Sequence, residues 1–219
     1  MNFKKALTYI FDDPEWFNKI LIPLLVSLIP LVGQMAVTGW MLELIRNVTN
    51  RVEKPLPKFD FGSQIMKGLK WMVVSFIYAL PIILLYLLMF APAIATSKSG
   101  EMSVIGILFM IVGGILILVF GIALGVIMPV AQANFAMKET IKSAFDFKTL
   151  IGLVKNNVTA WLMVIGGIIL AGFIAPLGSA LLVIGALITA FYAQTIVAHL
   201  SGQAYAMSQT KGGAGVMPY

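Results

Sequence analysis

Charged residues along this chain are confined to short intervals between long apolar runs. Asp, Glu, Lys and Arg are all missing from residues 20–42, 71–97, 102–137 and 156–210. Each run exceeds the roughly 20 residues that carry a helix across a hydrocarbon core of about 30 Å. The last run is long enough to cross twice, and Pro176 with Gly178 marks a turn in its middle. Helices are therefore predicted over 158–175 and 178–207. The first run is interrupted by Pro23, Pro30 and Gly33, and residues 28–33 read as a break.

Amphipathic segments precede the runs. Phe3, Leu7, Ile10 and Phe11 share one helical face, Phe61, Ile65 and Leu69 another, and Phe147, Leu150, Ile151 and Val154 a third, with lysines opposite. The expectation is an all-α integral membrane helical bundle of three hairpins, each introduced by an amphipathic helix in the interface. One transmembrane domain covers 1–210, and a flexible tail covers 211–219. Phe59-Asp60-Phe61 recurs as Phe145-Asp146-Phe147, 86 positions on. Gln132-Ala133-Asn134-Phe135-Ala136-Met137 closes one hairpin and Gln203-Ala204-Tyr205-Ala206-Met207 the other. Together they suggest a parallel internal repeat; the alternative is chance likeness within an apolar alphabet.

Lysine and arginine placement decides the threading. Nine of the fifteen precede residue 71, four (Lys138, Lys142, Lys148 and Lys155) lie between the third and fourth runs, Lys211 lies in the tail, and Lys98 lies in the link between the second and third. A single crossing by 20–42 would set the most basic loop opposite the N-terminus, against the positive-inside bias. A hairpin that enters near Trp16, turns at 30–33 and returns by Arg46 leaves fourteen of the fifteen on the cytoplasmic side of the cell membrane. Both termini are then cytoplasmic. Each arm has about 15 residues, roughly 22 Å, which is short for a crossing and suggests re-entry. Non-helical backbone at membrane depth must be buried or face water, so residues 30–34 are expected inside the protein if the turn lies at that depth.

Composition narrows the classes. Sixty per cent of residues are hydrophobic, 11% are charged and the mean hydropathy is +0.97, against roughly 25% charged in soluble domains. No cysteine is present, so disulfides, thiolate catalysis and sulfur-ligated metals are excluded. A lone histidine, His199, cannot make a metal site by itself. The net charge of +6 is scattered and forms no recognition arm, which points to the lipid bilayer and away from nucleic acid. Lys4 and Lys5 begin like a signal peptide, but Asp12, Asp13, Pro14 and Glu15 interrupt it and no small-residue cleavage site follows, so a retained first helix is expected.

Candidate chemistry is sparse. Asp12, Asp13 and Glu15 are either a cation or proton site or helix caps, and Asp13-Pro14 has the form of a helix start. Asp60 and Asp146 read as caps too, with their phenylalanines as anchors. Glu43, one turn inside the first hairpin, needs a partner: Arg46 three residues on, with Gln34 or Thr38 donating, or else an ion or substrate. His199 forms a polar stripe with Gln194, Thr195 and Gln203, fit for a proton relay or polar solute, or for interhelical hydrogen bonds to Gln132 or Asn134. Glu43, Arg46, Gln132, Asn134, Gln194, His199 and Gln203 are thus the candidate intramembrane polar residues. Gly113-Gly114, Gly121 with Gly125, and Gly166-Gly167 suggest close helix contacts or a homo-oligomer. Trp16, Trp40, Trp71 and Trp161 are placed as an aromatic belt would be. The basic loop 51–70, with Ser63 and Gln64, is either a docking surface or a solvated loop. With no nucleophile–base pair, metal triad or phosphate loop in sight, neither an enzyme nor a cofactor is expected.

The series Asp13-Pro14-Glu15-Trp16, Ile29-Pro30-Leu31-Val32-Gly33, Gly39 with Arg46-Asn47, Pro55-Leu56-Pro57, Gly68-Leu69-Lys70 and His199-Leu200-x-Gly202-Gln203-x-Tyr205 resembles the domain-of-unknown-function family numbered 4013, over nearly the whole chain. These are multi-pass proteins of archaea and bacteria. The resemblance implies a prokaryotic membrane protein and transfers no site residue. The function expected is movement of a solute or lipid without enzymatic activity; the alternative is an assembly subunit that binds other membrane proteins.

Overall fold

A computed structural model describes residues 1–95 and 103–209. The link bearing Lys98 and the tail over 211–219 lie outside the described residues. Among those described, helix is the sole regular structure: α1 (Phe3–Thr8), α2 (Trp16–Val26), α3 (Val32–Thr49), α4 (Phe61–Ala95), α5 (Val104–Lys138), α6 (Ile141–Ala144), α7 (Phe147–Asn156), α8 (Val158–Ile174) and α9 (Leu182–Gln209), with 3-10 turns at Tyr9–Asp12 and Ala175–Leu181. Four stretches, Phe61–Pro92, Val104–Lys138, Val158–Ala180 and Ile184–Gln209, are long and apolar enough to cross a membrane. The fold is an all-α membrane helical bundle of the expected class.

The chain forms two compact units, one of Val73–Met128 and one of Met1–Met72 with the chain from Pro129. In the Val73–Met128 unit, Phe76, Leu87, Leu108, Leu118 and Ile122 are each more than 60% exposed. Water would make such a surface an aggregation site; hydrocarbon makes it the favourable one. Gly113 gives room there to Met89, whose Cβ and Cγ would lie 2.7 Å from an added methyl group.

The other unit has a dense core of α3 and the second half of α9, where Trp40, Leu44, Ile45, Ile196 and Leu200 are fully buried. Glycines let the backbones touch. A methyl group on Gly39 would fall on the Gln64 carbonyl and one on Gly68 on the Met35 carbonyl, so α3 and the start of α4 meet through both. Gly202 admits α3 to α9 in the same way, beside the Ile45 carbonyl and Val48.

The first hairpin turns where expected, between α2 and α3. At eleven residues α2 covers about 16 Å, roughly half of a hydrocarbon core, whereas α3 at eighteen covers about 27 Å, so the two arms are unequal where about 15 residues each were expected. Its tip corrects the expectation of an interior turn: Leu28 is 56% and Leu31 70% exposed, and Gln34 is exposed. The physical reason is local satisfaction of the backbone. Ser27, Leu28 and Ile29 donate to the carbonyls of Pro23, Leu25 and Val26, and Gly33 and Met35 to those of Ile29 and Leu31. Leu31, at φ 60°, centres a γ-turn closed by the Val32 amide on the Pro30 carbonyl at 2.7 Å, and Gln34 Nε2 covers the Ser27 carbonyl at 2.8 Å. A turn that spends its own polar groups has no need of a protein cover.

The three introductory segments differ from one another. The first is α1 with its 3-10 turn, and it is packed: Ala6, Tyr9 and Ile10 are buried while Phe11 is 60% exposed. The second is the opening of α4, and Phe61 and Leu69 form its exposed side, because close approach at Gly68 turns Gln64 and Trp71 inward. The third, α7, is a separate amphipathic helix that buries Leu150 and Leu153. The aromatic belt is also corrected. Trp40, Trp71 and Trp161 are buried, since the indoles of Trp40 and Trp161 donate to the carbonyls of Pro57 and Leu153 at 3.0 and 3.1 Å and therefore have no need of interfacial water.

Candidate functional site

Three polar clusters, all in the unit of Met1–Met72 and the chain from Pro129, gather the candidate residues. The first is a four-charge network where α3, α4 and the end of α5 meet. Glu43 Oε1 accepts from Lys67 Nζ at 2.8 Å, Lys67 also reaches Glu139 Oε1 at 3.2 Å, and Arg46 Nη1 donates to Glu139 Oε1 at 2.6 Å. Gln64, fully buried, donates to Glu43 Oε2 at 2.7 Å and to the Lys58 carbonyl at 3.0 Å. The expected Glu43–Arg46 pair is thus replaced: Glu43 takes Lys67 from α4, which the crossing of α3 with α4 brings to it, and Arg46 takes Glu139, just beyond α5. Gln34, expected to serve Glu43, serves the Ser27 carbonyl. Glu139 has φ 53°, a left-handed conformation rare outside glycine, and sits just after the last turn of α5, with its amide on the Phe135 carbonyl at 2.7 Å. Strain of this kind persists where surroundings hold it, here two cations on one carboxylate.

The second cluster ties the N-terminus to α9. Gln203 Oε1 accepts from the Asn2 amide at 2.7 Å, and its Nε2 donates to the Asn2 carbonyl at 3.1 Å. The other Nε2 hydrogen faces His199 Nδ1 at 2.8 Å, which assigns a neutral imidazole carrying its proton on Nε2. Tyr9 lies on the imidazole at 4.2 Å between ring centres and donates to the Thr195 carbonyl at 3.2 Å; burial raises its phenol pKa above the ordinary value. Tyr192 donates to the Leu7 carbonyl at 2.7 Å. The stripe of Thr195, His199 and Gln203 is buried as expected, but Gln194 is exposed. The predicted partners of His199, Gln132 and Asn134, are replaced by Gln203 and Tyr9, because the N-terminal segment occupies that face.

The third cluster joins α6 and the start of α8 to the ends of α5 and α9. Asn134 donates to the Ser143 carbonyl and accepts from the Tyr205 hydroxyl, both at 2.8 Å. Ser208 takes the Trp161 indole N–H at 3.0 Å. Gln132 is half-buried.

Elsewhere, Asp13 is buried and binds Lys19 at 2.8 Å while accepting from the Glu15 amide at 3.0 Å. It shapes the turn before α2, whose first residue is Trp16 and not Pro14. Burial alone would raise its pKa; the Lys19 ammonium and the Glu15 amide outweigh it and hold the carboxyl below the usual value. Asp146 caps α7 by accepting from the Thr149 amide and hydroxyl, and Asp60 accepts from the Gly62 amide at the start of α4. In the basic stretch 51–70, Pro55, Leu56, Pro57 and Gln64 are buried while Arg51, Lys54 and Lys58 are exposed. Among the described residues no three His, Asp or Glu side chains gather as metal ligands would.

The glycine expectation splits. Gly113 and Gly167 admit Met89 and Leu200, whereas Gly114, Gly121, Gly125 and Gly166 have nothing within 4 Å. Lys67, Glu139, Tyr9 and Tyr205 were missed in sequence, because they lie 24 to 190 positions from the groups they meet.

Residues 22–184 match the family described as Protein of unknown function (DUF4013). The chain belongs to the DUF4013 family. No curated protein and no solved structure matches it. The DUF4013 region contains the whole Glu43–Lys67–Glu139–Arg46 network and excludes both Asn2 and the His199–Gln203 pair.

Proposed function

We propose that this DUF4013 chain is a non-enzymatic membrane protein that handles lipid, set in the cell membrane with both termini cytoplasmic. The observation behind it is an apolar groove of about 290 Å³ between the N-terminal segment, α2 and the first part of α9, walled by Ile10, Phe11, Trp16, Ile20, Leu24 and Ile188. Thr189 and Tyr192 also line it, but their hydroxyls are spent on the carbonyls of Ala175 and Leu7. At roughly 30 Å³ per water-sized group, the groove has room for about ten methylenes, which suits a length of acyl chain and no polar solute. The polar clusters support the same choice, since their donors and acceptors are largely spent on one another. We further propose that the matched Phe-Asp-Phe starts mark an internal repeat, since Asp60 and Asp146 each accept a backbone amide there.

Trp16 is the reporter. The other three tryptophans are buried, so lipids brominated along the acyl chain should quench the share of emission that Trp16→Phe removes. Proteoliposomes should also move a fluorescent phospholipid between leaflets faster than empty liposomes. Absence of both effects ends this reading.

A second reading, an assembly subunit, rests on α5. Gly114, Gly121 and Gly125 are open and fall within about 40° of one another around the helix, a face on which a helix of another membrane protein can pack closely. Stoichiometric co-purification of one partner in mild detergent supports it, and isolation as a lone monomer counts against it.

A further inference from the structure

Helix α7 carries two features that neither the core nor the lipid groove uses. Leu150 and Leu153 hold it to its unit, yet Phe147 and Ile151 stay 50% and 47% exposed. At about 100° per residue these two lie within 40° of each other, and Lys148 and Lys155 follow within the next 60°. An exposed apolar strip bordered by lysines has the profile of a helix lying in a headgroup layer, rings and branched chains in the acyl boundary and ammonium groups among phosphates. Lys138 and Lys142, both exposed, add charge from the adjoining elements. Asp146 offsets part of this charge by facing Lys138 and Lys142, and Glu139 is taken by Arg46 and Lys67, so four lysines against one carboxylate leave the surface positive.

We propose that α7 is a docking surface for anionic phospholipids, with Lys148 and Lys155 binding the headgroups and Phe147 and Ile151 inserting beneath them. A second copy of the chain fits this surface poorly, because its lysines would meet like charges; an anionic leaflet complements both charge and apolarity. The proposal holds whether or not the groove carries lipid.

The test is native mass spectrometry of the full chain titrated with phosphatidylglycerol or phosphatidylcholine. Phosphatidylglycerol should bind roughly 25-fold more tightly, and the Lys148→Gln/Lys155→Gln variant should lose about fivefold of that preference per lysine removed. Lys54→Gln/Lys58→Gln, an equal charge change in the loop before α4, should keep the preference. Phe147→Ser/Ile151→Ser should weaken both lipids. Equal affinity for the two lipids, or equal loss in the loop control, overturns the proposal. Should the α7 variant fail to fold, wild type decides: raising salt from about 0.15 to 1 M shortens the Debye length from about 8 to 3 Å and must abolish the preference, and a preference that survives overturns the assignment.

Discussion

Asp13 shows how far one carboxylate can depart from its local reading. Asp13-Pro14 signals a helix start, but the side chain is buried and pairs with Lys19, six residues on, inside a turn. Its lowered pKa gives a signed prediction. A carboxylate held below its usual 3.8 stabilises the fold fully above that value and loses the contribution as pH falls through the folded pKa. Asp13→Asn should therefore cost about 2 kcal/mol at neutral pH, measured by thermal unfolding in detergent. The gap to wild type should close as pH drops below about 4; a gap that persists in acid would show that shape, not charge, is what Asp13 supplies. Glu43 teaches the same lesson at a second site. The need for a partner was legible from a carboxylate bordering an apolar run, whereas Lys67 as that partner was not, because nothing local encodes a helix crossing.

Among the elements, glycine has two opposite meanings that sequence spacing cannot separate. Gly39 and Gly68 are unremarkable in spacing and yet seat backbone on backbone, while the Gly121–Gly125 pair, with the spacing of a dimer motif, faces open space. Gly39→Ala and Gly68→Ala should each cost about 1–3 kcal/mol or more, since backbone cannot move aside as a side chain would. Gly121→Ala should change stability by less than about 0.5 kcal/mol. Unfolding temperatures in one detergent would compare all three, and a tolerated alanine at both Gly39 and Gly68 would refute the close approach. The amphipathic segments follow the same rule: α7 kept its predicted individuality, whereas the start of α4 merged into a 35-residue helix whose apolar strip points outward.

For the whole molecule, threading through the membrane is a matter of charge, and it can be measured directly. The chain has no cysteine, so each one introduced is unique. Glu53→Cys and Lys142→Cys should be shielded from an impermeant thiol reagent in intact cells, and Ser103→Cys should be labelled; the reverse pattern would invert the proposed orientation. The apolar runs, the breaks at 28–33 and at Pro176, and the membrane class were determined by sequence alone, because transfer of uncharged helices into hydrocarbon depends on composition and length and hardly on neighbours. Which polar groups meet was decided only by tertiary structure. His199 with Tyr9, Arg46 with Glu139 and Asn134 with Tyr205 are joined across 71 to 190 positions. A polar side chain buried away from water takes whichever partner packing brings within about 3 Å, and that choice belongs to the crossings of helices and not to any stretch of the chain.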